Sequence, residues 1–91
     1  MDEITLKVRL HGIVQGVGMR HHVRTQARRH GVFGYVRNRS DGTVECLATG
    51  TRKAVAAFMA ALRDRPPGRI DRIDTSDVAN AETHTDFVIR F

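Results

Sequence analysis

The order of hydrophobic patterns along these 91 residues constrains the fold more than any single motif. Apolar and polar residues alternate over 4–11, which predicts a half-buried strand, and a glycine-containing loop follows it. Apolar residues at four-residue spacing then predict a helix from about Arg20 to His30, with Gly31 as its C-terminal stop. Later patterns predict a second helix capped by Thr51 and broken at 65–68, and strands at 33–39, 43–49, 70–78 and 87–91.

These elements follow one another as β-α-β-β-α-β with an added C-terminal edge strand. Such an order is typical of the ferredoxin-like α+β sandwich, and we expect two helices packed on one face of an antiparallel sheet. The length fits a single domain over 1–91. No apolar run reaches the roughly 18 residues that a membrane span needs, and the N-terminus does not resemble a signal peptide. We therefore expect one cytoplasmic domain without a membrane partner.

The ferredoxin-like order brings two distant segments together. The first strand runs to one end of the sheet, and the helix returns the chain to the other end. The second strand then runs parallel to the first and finishes beside the glycine loop. Asn38, near the end of this strand, and the hairpin turn at 40–42 are therefore predicted to lie near Arg20.

The loop Val14-Gln15-Gly16-Val17-Gly18-Met19-Arg20 has the composition of a small oxyanion site. Two glycines let backbone N–H groups turn toward one point at the start of a helix, where an arginine can grip two phosphoryl oxygens. The loop lacks the Gly-Lys-Ser/Thr ending of a P-loop and the third glycine of a dinucleotide site. The alternative is a tight turn with a solvated arginine. In the phosphate-binding interpretation, Arg20 acts with the backbone amides of Gln15, Gly16, Val17, Gly18 and Met19.

Charge is unevenly distributed along the chain, whose net charge is +5. Eight Lys or Arg and no Asp or Glu lie between Ile4 and Ser40, so a positive field surrounds the loop and attracts anionic partners. This field also fits a nucleic-acid-binding module on the same fold, with Phe33 and Tyr35 as exposed rings. Aromatic residues make up only 5% of the chain, and the aromatic-rich motifs of RNA-binding sheets are absent, so we expect no nucleic-acid partner.

The chemistry of the loop is narrowed by what the sequence lacks. No Ser/His/Asp order, carboxylate pair, P-loop lysine or metal-ligand cluster accompanies it. An enzyme of this kind needs a substrate with a good leaving group, and an acyl phosphate has one, because the departing carboxylate has a pKa of about 4–5. Its hydrolysis needs chiefly positioning, oxyanion stabilisation and an oriented water. The amide of Asn38 can hold that water, or Asn38 can cap the neighbouring turn through its backbone.

Two motifs carry a family resemblance. The first is Leu10-His11-Gly12-Ile13-Val14-Gln15-Gly16-Val17-Gly18-Met19-Arg20, and the second is Gly34-Tyr35-Val36-Arg37-Asn38, followed by Gly42, Val44 and Gly50. With these motifs the chain resembles the acylphosphatase family over essentially its whole length. The resemblance implies that Arg20 is the phosphate-binding catalytic residue, that Asn38 positions the attacking water, and that the bound phosphate accepts the proton of that water.

The resemblance also sets expectations about partners. We expect a stand-alone hydrolase that splits a small-molecule acyl phosphate into a carboxylate and inorganic phosphate. Inorganic phosphate is then the product and a competitive inhibitor, no metal or other cofactor takes part, and the protein is a monomer. A further alternative is an accessory domain of a carbamoyl-transfer system. Met19 stands where the family more often has Phe, and Tyr35 where Trp is frequent, and both are expected to pack.

Other reactive side chains have structural interpretations. Cys46 alternates in phase with Val44 and Ala48, which predicts a buried small hydrophobe rather than a reactive thiol. His21 and His22 are adjacent, so they point about 100° apart on a helix and do not form a natural metal pair. We interpret both histidines as part of a solvated helix surface.

Overall fold

The computed structural model describes residues 3–79 and 83–91. In chain order its elements are β1 (Glu3–Ile13), α1 (Met19–Arg29), β2 (Phe33–Asn38), β3 (Val44–Thr51), α2 (Arg52–Leu62), β4 (Arg69–Asp77) and β5 (Phe87–Arg90). This order confirms the predicted one. The predicted cap of the second helix is also confirmed, because the Thr51 hydroxyl accepts a hydrogen bond from the Ala54 N–H at 3.0 Å. No helix in the described ranges is long and apolar enough to cross a membrane.

The five strands form one sheet in the order β4-β1-β3-β2-β5. β1 pairs antiparallel with β3 and β4, and β2 pairs antiparallel with β3. β2 is therefore parallel to β1, as predicted. β5 pairs with β2 in the parallel sense, so the sheet is mixed, and the prediction of a wholly antiparallel sheet is wrong at this edge.

The parallel edge pair follows from where the preceding strand ends. Asp77, the last residue of β4, pairs with Leu6 near the start of β1, and β2 starts at the same end of the sheet. β5 begins at that end too, with Phe87 opposite Gly34. A strand that starts there runs in the direction of β1 and β2. β5 thus carries the chain toward the end of β2, where Asn38 lies.

Both helices pack on one face of the sheet, around a single hydrophobic core. Their buried residues are Met19, Val23 and Ala27 of α1 and Val55, Phe58 and Leu62 of α2. The rings of Phe58 and Phe87 contact each other with centroids 6.2 Å apart, which joins α2 to β5. Cys46 is fully buried in this core, and burial raises the pKa of its thiol far above the usual range. The prediction that Cys46 is a buried hydrophobe is confirmed.

The opposite face of the sheet contains a buried carboxylate that sequence patterns did not reveal. Glu45 lies on β3 with 1% of its surface exposed. The cationic side chains within 4 Å of its carboxylate are those of Lys7, Arg9, Arg37 and Arg39. Tyr35 adds a hydrogen bond from its hydroxyl at 3.0 Å. One carboxylate therefore joins β1, β2 and β3 on the face that the helices leave uncovered.

Candidate active site

The loop between β1 and α1 has a left-handed backbone at two positions. Gly16 has a φ of +74° and Gly18 a φ of +87°, values that side-chain-bearing residues rarely adopt. Gly18 is the N-cap of α1, and no side chain caps this helix. The first backbone N–H groups of α1 therefore remain available to an anion, whose negative charge the helix N-terminus also stabilises.

Arg20 and Asn38 line the same cavity, whose volume is about 190 Å³. Arg20 belongs to the first turn of α1, and Asn38 is the last residue of β2. The two residues meet because β2 is parallel to β1 and ends beside the loop, so the predicted juxtaposition is confirmed. The cavity is lined by Val14, Gly16, Gly18, Met19, Arg20, His21, Asn38, Ile89 and Phe91.

The side chain of Asn38 presents a buried oxygen without a partner. Its Oδ1 is shielded by the protein and has no hydrogen-bond partner in the described structure. Leaving such a group unsatisfied costs about 1–3 kcal/mol, and buried polar atoms in native proteins generally meet a water, an ion or a protein group. A carbonyl oxygen placed in this way suits a water molecule that donates a hydrogen bond to it.

The guanidinium of Arg20 contacts an aromatic ring. Within residues 3–79 and 83–91, no carboxylate lies at ion-pair distance from it. Its central carbon lies over the ring of Phe91, 4.8 Å from the ring centroid. Because no described carboxylate engages them, the N–H groups of Arg20 can bind two oxygens of a phosphoryl group.

Gln15 ties the loop to the hairpin turn that follows Asn38. Its Nε2 donates hydrogen bonds to the carbonyl oxygens of Arg39 at 2.7 Å and Thr43 at 2.9 Å. Asp41 braces the same turn, and the hydrogen bonds from the hydroxyl and N–H of Thr43 lower the pKa of its carboxyl. The predicted proximity of turn and loop is confirmed through these contacts. The side chain of Gln15 is thus structural, while the role of its backbone amide stays a prediction.

The structure separates the predicted binding residues into two groups. Gly16, Gly18 and Met19 line the cavity, and the side chain of Met19 is buried as expected. Gln15 and Val17 do not line it, and the side chain of Val17 packs against the hydrophobic core. The predicted contribution of these two residues rests on their backbone amides alone.

Three cavity residues escaped the sequence prediction. His21, interpreted as a solvated surface residue, lines the cavity, and its Nδ1 lies 3.2 Å from a guanidinium nitrogen of Arg24. Ile89 and Phe91 were assigned only to the closing strand. Their position beside Asn38 follows from the parallel pairing of β5 with β2, which the sequence did not reveal. In the described part of the chain, no group of three His, Cys, Asp or Glu side chains forms a candidate metal site.

Fold and cavity together define a small α+β domain with a glycine-containing loop between its first strand and its first helix, beside the cavity. The sequence model of the family described as Acylphosphatase matches residues 6–89 of the chain. The protein therefore belongs to the acylphosphatase family, and it is an enzyme that hydrolyses acyl phosphates.

Individual relatives agree with this assignment. The acylphosphatase of Acidovorax sp. (strain JS42) is 47% identical over 75 residues, which cover 81% of this chain and 77% of that protein. The crystal structure of acylphosphatase from Bacillus subtilis matches with a TM-score of 0.91 at 32% identity and covers 97% of this chain and 99% of that one. HypF of T. kodakarensis matches with a TM-score of 0.85 at 31% identity, over 94% of this chain but 12% of that one.

Proposed function

We propose that Arg20 and Asn38 are the catalytic residues of this acyl phosphate hydrolase and that they have different roles. Arg20 holds the phosphoryl group, and Asn38 orients the water that attacks it. Two observations carry the proposal: Asn38 and Arg20 line one cavity, and the side-chain oxygen of Asn38 has no hydrogen-bond partner in the described structure. The backbone amides that complete the phosphate site are those of Gln15, Gly16, Val17, Gly18 and Met19.

The reaction forms one bond and breaks one. The water oxygen attacks phosphorus while the bond from phosphorus to the acyl oxygen breaks, and the electron pair of that bond leaves with the carboxylate. The carboxylate needs no proton from an acid, because its conjugate acid has a pKa of about 4–5. A phosphoryl oxygen takes one proton of the water, and the other stays on the attacking oxygen. The products are a carboxylate and dihydrogen phosphate.

In this scheme the enzyme accelerates hydrolysis by orienting the attacking water and by stabilising negative charge on the phosphoryl group. Asn38 accepts a hydrogen bond from the water and so holds its oxygen toward the phosphorus, which replaces a random encounter by a fixed approach. Arg20 and the amides of the loop stabilise negative charge on the phosphoryl oxygens. Inorganic phosphate offers the same oxygens as the substrate, so we expect it to inhibit competitively.

The remaining expectations about partners follow from side-chain contacts. Tyr35 donates its hydroxyl to Glu45, and the guanidinium carbon of Arg90 lies 4.2 Å from its ring centroid. An engaged ring offers little surface for base stacking, which supports a small-molecule substrate over nucleic acid. We further propose a monomer that works in the cytoplasm, where the free thiol of Cys46 stays reduced.

The proposal is tested with purified protein, benzoyl phosphate and a metal chelator. We expect hydrolysis well above the uncatalysed rate, and we expect Arg20→Ala to lose turnover and phosphate binding together. The matched control is Arg29→Ala, an exposed arginine at the end of α1 that does not line the cavity, and it should retain both. A wild-type rate equal to the uncatalysed rate would refute the proposal, as would an Arg20→Ala variant that still binds phosphate with wild-type affinity.

A further inference from the structure

Phe91 is a large apolar side chain whose position the hydrophobic core does not explain. It is fully exposed, whereas Phe87, four residues earlier in β5, is completely buried. The guanidinium carbon of Arg20 nevertheless lies over its ring, 4.8 Å from the centroid, and Phe91 lines the cavity. An exposed ring in this position contributes little to folding, so its contact with Arg20 needs a separate reason.

The arginine side chain explains why a ring is useful here. Arg20 has several rotatable bonds, and its rotamer entropy opposes its fixation in one orientation. A carboxylate partner would fix it, but would also neutralise its charge and occupy the N–H groups that a phosphoryl group needs. An aromatic ring attracts the guanidinium through its face, and it leaves both the charge and the N–H groups free.

The fold supplies the means of holding the ring. β5 pairs with β2 in the parallel sense, with Arg90 opposite Arg37, so residue 91 continues along the neighbouring strand beside Asn38. Ile89 packs against the hydrophobic core two residues earlier and anchors the strand. The pairing of β5 with β2 therefore places the ring of Phe91 next to Arg20.

We propose that Phe91 is a positioning residue: its ring orients the guanidinium of Arg20 for phosphate binding while leaving its charge intact. This inference rests on the proposed role of Arg20. It concerns the phosphoryl side of the substrate, so it applies equally to every acyl group.

The test is a series of substitutions at position 91, namely Phe91→Trp, Phe91→Tyr, Phe91→Leu and Phe91→Ala. Each variant is assayed with benzoyl phosphate and with acetyl phosphate, and its affinity for inorganic phosphate is measured by calorimetry. We expect the two aromatic variants to stay near wild type. The leucine and alanine variants should bind inorganic phosphate about two- to fivefold more weakly, and their kcat/KM should fall by about the same factor, which is the range of an exposed cation–π contact. The fall in kcat/KM should be equal for benzoyl phosphate and acetyl phosphate.

The matched control is Phe33→Ala, which removes another partly exposed phenylalanine, on β2 and outside the cavity, and should change none of these quantities. A leucine variant that equals the tryptophan variant would overturn the inference, because hydrocarbon bulk alone would then suffice. A loss confined to benzoyl phosphate would also overturn it, because the ring would then contact the acyl group. If the wild type hydrolyses neither substrate, the proposed function fails, while phosphate affinity across the series still tests the ring.

Discussion

Replacement of Glu45 by glutamine should destabilise the protein far more than a typical surface substitution. The carboxylate accepts hydrogen bonds from Arg37 Nε at 2.8 Å, Arg39 Nη1 at 2.7 Å and the Tyr35 hydroxyl at 3.0 Å. Lys7 and Arg9 each place a nitrogen 3.7 Å away. Glu45→Gln keeps the size of the side chain, but removes the negative charge that these four cations surround.

The magnitude follows from the burial of each partner. Breaking a fully buried ion pair by removing one charge costs about 3–5 kcal/mol. Glu45 is buried, but the four cationic side chains keep between 31% and 47% of their surface exposed, so water screens part of their repulsion. We therefore expect a loss of about 2 kcal/mol in the free energy of unfolding. In a domain of this size, that loss lowers Tm by roughly 8–16 °C.

The effect should also depend on pH. Burial alone would raise the pKa of Glu45, but the hydrogen bonds from Arg37 and Tyr35 outweigh burial and hold the pKa below its usual range. A carboxyl whose pKa is lower in the folded than in the unfolded protein stabilises the fold above its unfolded pKa of about 4.3. That contribution disappears as the pH falls through the folded pKa. The difference in Tm between wild type and Glu45→Gln should therefore be largest near pH 7 and shrink below about pH 4.

Thermal unfolding followed by circular dichroism at pH 7 and at pH 3 measures both quantities. The control is Asp74→Asn, which removes an acid from the same face whose side chain is 54% exposed, and it should lower Tm much less than Glu45→Gln does. The reasoning is refuted if Glu45→Gln unfolds within about 2 °C of wild type at pH 7. A difference in Tm that is the same at both pH values would contradict the assigned role of the carboxylate charge.

Two further substitutions test the frame around the cavity. Gly34→Ala should lower the free energy of unfolding by about 3 kcal/mol or prevent folding, because the φ of Gly34 is +140° and an added Cβ would collide with the carbonyl oxygen of Leu47. Gly31→Ala, with a φ of +68° and open space around it, should cost only about 1–2 kcal/mol. Urea unfolding measures both values, and equal losses would contradict this prediction. Gln15→Met removes the two hydrogen bonds to the hairpin turn and should lower kcat/KM for benzoyl phosphate about tenfold. A variant that loses stability but keeps its kcat/KM would show that these hydrogen bonds do not position the active site.

The sequence predicts the main features of the site because they depend on local pattern and chain order. Alternation identifies β1 and β2, and the glycines and α1 follow β1 directly. Because α1 returns the chain to the end of the sheet where β1 begins, β2 runs parallel to β1. The meeting of Arg20 and Asn38 follows from these facts alone. The burial of Cys46 follows from its phase within β3.

Two features could not be predicted because they depend on distant contacts. The direction of β5 is set by the end of the sheet at which β4 stops, and the placement of Phe91 over Arg20 depends on it. Glu45 lies within an apolar strand and is indistinguishable there from a solvent-facing residue. Its burial requires cations from β1 and from the end of β2 to converge on it, and no local pattern encodes that convergence.

The central claim is that Asn38 acts on the water and Arg20 on the phosphate, and one kinetic measurement on Asn38→Ala tests it directly. Both kcat for benzoyl phosphate and the inhibition constant of inorganic phosphate are determined for wild type and variant, with Tm confirming that the fold is intact. We predict that kcat falls about 100-fold or more while the inhibition constant stays within about threefold, because phosphate binding does not require the water. A kcat near that of wild type, or an inhibition constant that rises as steeply as kcat falls, would contradict the account.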